Sequence, residues 1–158
     1  MRDGQLRKLA HGLFTVPKTG RFGPVPPDLD TLLTAFLEGA SFVMTGPPAW
    51  NSLGLGTTAL WTHHLVYNTK RTGSFLLDGQ HVKLRRVRFP EHPPAEWFVI
   101  DLLESQPFVG QAGDDLHSRL VDALRAGRLD ATVLRAMGAE YATAGNRLLL
   151  DAAIQAAQ

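Results

Sequence analysis

The stretch GRFGPVPPDLDTLLTAFLEGASFVMTGPPAWNSLGL, Gly20 to Leu55, chains two helices and a strand through strongly marked caps and turns. Leu29, Leu32, Leu33, Phe36 and Leu37 recur at i, i+3, i+4, i+7 and i+8, the apolar stripe of an amphipathic helix. Pro26 and Pro27 precede it, Asp28 or Asp30 can accept from the unpaired amides of its first turn, and Gly39 can take the left-handed closing position. A helix is therefore predicted over about 29–38. Phe36 lies mid-stripe, so its burial is expected, with about 3 to 5 kcal/mol lost on truncation to alanine. Ser41 to Thr45 follows as a short apolar strand. Gly46-Pro47-Pro48 then opens a shorter helix through Ala49, Trp50 and Leu53, since a proline in the first turn forgoes an amide that has no helical partner there. Gly54 and Gly56 stop it. All of this reads as scaffold.

Outward from that stretch the period changes to two. From Thr62, residues His64, Val66 and Asn68 face one way and His63, Leu65 and Tyr67 the other, as on a strand. Asp78-Gly79 lies between Phe75-Leu76-Leu77 and the run Val82 to Phe89, and this pair is suited to a tight primed turn whose two central residues need positive φ. On the second arm Val82 and Leu84, then Val87 and Phe89, are the inward candidates. A β-bulge near Arg85 and Arg86 would restore the phase and leave Lys83, Arg85, Arg86 and Arg88 all pointing outward. The expected fold is α+β: an antiparallel sheet from residues near 41–45, 62–69, 74–77 and 81–89, with its hairpin at 74–89, packed by the helix near 29–38.

Beyond Phe89 the chain turns helical. Pro93 and Pro94 open a helix through Trp97, Ile100 and Leu103; Asp114-Asp115 begin another through Leu116, Leu120, Val121 and Leu124, closed by Gly127. Asp130 caps a third through Val133, Leu134 and Met137, and Arg147 to Ala157 forms an Ala/Leu-rich last helix. Gln106 to Gly113 is the best linker candidate but is too short to divide the chain into independent domains, so one α+β domain over 1–158 is expected, with a sheet-containing part at 1–105 and a helical part at 114–158.

Composition bounds the class. At 44% hydrophobic and 20% charged residues, 158 residues suffice for one sizeable core. The absence of cysteine excludes disulfides and thiolate ligands and fits a reducing, cytoplasmic setting. The first apolar run, Leu13 to Val16, is too short for a signal peptide or a membrane span. The net charge of +1 is unevenly spread: residues 1–27 carry five basic and one acidic side chain, 61–90 six and one, 91–158 five and ten. Such blocks argue for one basic face rather than a uniformly basic coat.

No catalytic, metal or cofactor constellation emerges. The histidines at 11, 63, 64, 81, 92 and 117 are scattered, and His63 and His64 would point to opposite faces of a strand. Gly54-Leu55-Gly56-Thr57-Thr58 lacks the lysine and context of a phosphate cradle. Glu96 and Asp101 lie five apart on a helix and diverge. The basic arm Lys83-Leu84-Arg85-Arg86-Val87-Arg88 is the best candidate site, since guanidinium forks bind phosphates and carboxylates alike; a charged, aggregation-resistant edge strand is the bland alternative.

Taken together, LRKLAHGLFTVPK, FGPVPPDLDTLLTAFLEG, TGPPAWNSLGL, YNTKRTGSFLLDGQHVKLRRVRF and EWFVIDLLES resemble AbiEi-type antitoxins of type IV toxin-antitoxin systems over roughly residues 4 to 150. The resemblance implies a DNA-binding winged helix that represses its own operon, followed by an α/β domain acting against a nucleotidyltransferase-like toxin. Gly4 to Val16 would match the wing. The helices before it would lie upstream of Met1, so either the start is late or the chain is a solo version of the second domain. The resulting expectation is a cytoplasmic, non-enzymatic antitoxin-like or regulator-like protein with no cofactor. It would meet a toxin or nucleic acid through Lys83, Arg85, Arg86 and Arg88, with Arg7 and Lys8. The alternative is a nuclease-like enzyme on nucleic acid or nucleotide, with Glu96, Asp101 or a histidine as acid or base.

Overall fold

A computed structural model describes residues 7–10, 12–15, 18–56, 62–109 and 113–158. The chain divides into two compact units: a sheet unit of residues 1–43 and 62–87, and a helical unit of residues 44–61 and 88–158. The interleaving differs from the expected partition at 105 and 114. One reason is visible locally. The helix α3 below continues through Val109, across much of the segment expected as a linker, whose residues 110–112 lie outside the described ones.

In the sheet unit, β1 (Arg7–Ala10) pairs antiparallel with β2 (Leu13–Thr15), and β3 (Lys18–Gly20) with β4 (Gly23–Val25). The first hairpin turns at Gly12; the second, with Arg21 and Phe22 at its tip, was not anticipated. Helix α1 (Leu29–Phe36) begins where Asp28 Oδ1 accepts from the Thr31 amide at 2.7 Å. It ends two residues before the left-handed pair Glu38 and Gly39. The larger sheet comprises β5 (Phe42–Thr45), β6 (His64–Asn68), β7 (Gly73–Leu77) and β8 (Gln80–Arg86) in the order β5-β6-β8-β7.

The hairpin is as expected, with Asp78 and Gly79 at φ 47° and 79°. Two features differ. The sheet is mixed, because β8 runs antiparallel to β7 but parallel to β6. After β6 the chain crosses to the outer edge as β7, and the tight turn returns β8 into the gap between them. Nor is there a bulge: the β6–β8 ladder is regular through Asn68 and Arg86, and the strand ends before Val87.

Leu32, Leu33 and Leu37 pack with Val66, Leu77, Val82 and Leu84 into the apolar core of this unit. Each such side chain contributes about 2 kcal/mol through its transfer from water. Phe36 is only half-buried, contrary to the mid-stripe expectation, and meets Phe75 edge-on at 5.0 Å between centroids. It borders this core rather than filling it.

The helical unit contains α2 (Pro47–Ser52), α3 (Ala95–Val109), α4 (Gly113–Arg125), α5 (Ala131–Tyr141) and α6 (Ala144–Ala157). Trp50, Ile100, Leu102, Leu120, Leu134 and Ile154 are among the side chains of its core. Asp130 caps α5 by accepting from the Thr132 and Val133 amides at 2.8 and 3.1 Å. Gly138 permits a close helix approach, since a Cβ there would stand 2.9 Å from Leu150 Cδ1. Among the described residues no helix is long and apolar enough to cross a membrane.

Candidate functional site

Four cations of the sheet unit, Lys70, Arg71, Arg85 and Arg86, are gathered at one end of the larger sheet by Asn68. This residue is fully buried at the end of β6. Its Nδ2 donates to the carbonyls of Arg71 and Arg85 at 2.9 and 3.3 Å, and its Oδ1 accepts from the amides of Lys70 and Arg71 at 2.8 and 2.7 Å. The Arg86 amide adds a bond to Thr72 Oγ1 at 2.9 Å. The connection after β6 is thereby tied to the end of β8, and Lys70, Arg71, Arg85 and Arg86 share one corner. Burying an amide side chain is tolerable only when its donors and acceptors are met, as they are here.

This corner is strongly positive. Lys70 is bonded to Glu38, whose carboxyl is held below the usual carboxylate range first by that hydrogen bond, then by the Lys70 charge and that of Arg71, against an opposing effect of burial. Arg71 lies 4.6 Å from the centroid of the Phe36 ring and Arg85 5.7 Å from that of Tyr67, distances at which a guanidinium is attracted to the π-face. Arg86 is exposed.

The residues singled out in the sequence do not form one face. With no bulge, Lys83 and Arg85 project to one side of β8, and Arg86 falls in phase with Val82 and Leu84 at the strand end. Arg88 belongs to the helical unit, where it bonds Glu140 at 2.9 Å and stands 5.7 Å from the Tyr141 ring. Lys8 is exposed opposite Phe14 on β1, and Arg7 pairs with Thr15 in the same hairpin. Gly4 to Leu6, His11 and Val16, the rest of the wing-like segment, lie outside the described residues. Lys70 and Arg71, which the sequence reading passed over, join the corner instead. Their clue was Asn68, a buried-face polar residue just before a Thr-Lys-Arg-Thr turn.

The acidic candidates for catalysis serve as internal braces. Glu96 is buried and accepts the Asp130 amide at 2.7 Å, fixing the start of α5. Asp101 is buried and accepts from Trp50 Nε1 at 3.0 Å and from the Thr45 hydroxyl. Each carboxylate thus braces a different element. Gly54 ends α2 in the left-handed conformation at φ 74°, as expected of a helix stop. The carbonyls of Leu53 and Gly56 beside it accept from Arg128 at 3.3 Å and Arg119 at 2.7 Å, while Thr57 and Thr58 lie outside the described residues. Among the described residues no group of three His, Asp or Glu side chains is placed to hold a metal ion. His63 and His64 take opposite faces of the sheet, as their adjacency required.

No protein-family model matches the chain, and no curated protein or solved structure matches it.

Proposed function

We propose that the chain is a non-enzymatic, antitoxin-like or regulator-like binding protein of the AbiEi kind, which counters a nucleotidyltransferase-like toxin by docking its positive corner on an acidic surface. The observation that carries this reading is the Asn68 hydrogen-bond knot, which holds two separate basic segments of the chain together. Preorganised cations lose less conformational entropy on binding than four independent surface side chains. They also steer association with an oppositely charged partner. Glu96 and Asp101, engaged in bracing α5 and α2, lend the nuclease-like alternative no support.

The test is the double substitution Arg85→Glu with Arg86→Glu, chosen because neither side chain lies in the apolar core. The folded variant is expected to lose rescue of growth from a co-expressed candidate toxin. Nucleic-acid binding is measured beside it across a salt series, where duplex contacts would show a slope of about 0.9 log unit per log of salt for each phosphate met. Wild-type rescue together with unchanged nucleic-acid binding would reject the corner as a binding surface.

A further inference from the structure

The other end of the larger sheet holds a recess of about 500 Å³. Strand register explains its lining. Across β7 and β8, Ser74 stands beside Lys83 and Leu76 beside His81. The parallel pairing of His64 with Val82 brings His63, one residue earlier, level with His81. Side chains level with one another across strands share a face. His63, His81, Lys83, Ser74 and Leu76 therefore project to one side of the sheet, and Thr62 completes the wall. Val82 and Phe75, which also border the recess, turn their side chains into the opposite, α1-facing core.

The chemistry of this wall is one-sided. A lysine and two imidazoles converge with two hydroxyls, and among the described residues no carboxylate lines the recess. The His63 imidazole is held below its ordinary pKa first by burial, then by the positive charges of Lys83, His64 and His81. Lys83 and His81 face it from β8, while His64 acts from the opposite face of β6; β7 presents Ser74 and Leu76 on this face, neither of them titratable. A doubly charged anion there would offset the repulsion that His63 meets and favour its protonated form. Leu76, 52% exposed, supplies an apolar wall beside them. The volume lies within the range of small-molecule sites, roughly 300 to 1,000 Å³.

We propose that this recess binds the phosphate monoester group of a small molecule, Lys83, His63 and His81 facing the dianion, Ser74 and Thr62 bonding its oxygens, and Leu76 carrying the less polar remainder. A monoester fits better than a backbone diester because it brings two charges to one point where a lysine and two imidazoles converge. The site is separate from the Asn68 corner and does not depend on the toxin reading.

The experiment follows the histidine ring resonances of the full chain by NMR at constant ionic strength near pH 6.5. It uses inorganic phosphate, adenosine 5′-monophosphate and a dinucleotide with no terminal phosphate. Phosphate should shift both His63 and His81 saturably, with a Kd of about 1 mM or below. The nucleotide should bind about tenfold tighter than phosphate, and the diester at least about tenfold weaker than the nucleotide. Lys83→Met should weaken binding about tenfold or more, and His81→Gln should weaken it too, while Arg86→Met, on the other face of β8, leaves it unchanged. The proposal is overturned by the absence of a saturable shift up to about 50 mM phosphate, or by wild-type affinity in Lys83→Met and His81→Gln. Equal loss in Arg86→Met would overturn it as diffuse basic attraction. A diester that matches the nucleotide would overturn it as a nucleic-acid contact. Since Arg85 and Arg86 report on the corner and Lys83 and His81 on the recess, failure of either site leaves the other standing.

Discussion

In the helical unit Asp101 and Glu96 are buried and turned inward, one holding Trp50 and Thr45 and the other the first amide before α5. In the sheet unit the core beneath α1 is wholly apolar, and the buried polar group, Asn68, ties down a turn whose neighbours carry their charges outward. The contrast teaches where to look for function. A carboxylate surrounded by donors it must satisfy is costly to free and belongs to the scaffold. Cations whose backbones are fixed while their heads stay at the surface are available to a partner.

The contrast is most exposed at Trp50. Trp50→Ala removes the largest fully buried side chain of the helical core and one of the donors to Asp101, so a loss of about 4 kcal/mol is expected in denaturant unfolding. Trp50→Phe narrows the comparison, because it keeps a buried aromatic ring while losing the N–H and part of the indole; about 1 to 3 kcal/mol should remain lost. If Trp50→Phe were neutral, Asp101 would not depend on that donor, and the helical unit would be no more polar in its bracing than the sheet unit.

A smaller effect is expected at the margin of the sheet core. Phe36→Ala should destabilise by about 2 kcal/mol, below the range for a fully buried phenylalanine, because the ring is half-buried and is shared between Phe75 and Arg71. A loss of about 4 kcal/mol or more would place Phe36 in the core after all.

The smallest effect is one of pH. The folded His63 has a lowered pKa, so as pH falls below 6.5 the unfolded chain takes up the proton first. Its contribution to stability is thus fully present above 6.5 and is lost as pH falls toward the folded pKa. The melting temperature should decline modestly between pH 7.5 and 5.5, and His63→Gln should flatten that decline. Glu38 and Asp28, whose lowered pKa values act with the same proton balance, lose their contributions only below 4.5 and 3.8, outside this window. An unchanged slope in His63→Gln would remove the histidine from the account.

Several elements were legible residue by residue. The stripe from Leu29 to Leu37 with Asp28 before it, the turn Asp78-Gly79, the cap at Asp130 and the stop at Gly127 all appear where their types require. The candidate site was legible only in part. Arg85 and Arg86 lie where partner contact is open to them, but the phase argument for a bulge assumed that Val87 and Phe89 continued the strand, and Arg88 is engaged by Glu140 from α5. The β3–β4 hairpin escaped notice because Arg21-Phe22 is not a turn signature; the left-handed residue is Gly23, just beyond it.

The sequence by itself determined the local elements and the signs of their charges, because a cap, a tight turn or an amphipathic stripe is decided by the φ/ψ preferences and hydrogen bonds of residues a few positions apart. Only the tertiary structure decided that β8 lies between β6 and β7. That choice sets Lys83 and His81 beside His63 and joins Lys70 and Arg71 to Arg85 and Arg86. Many strand pairings bury the same alternating residues equally well, and what selects among them is the cost of closing the loops together with the packing of the whole face, neither of which is written in any short stretch of chain.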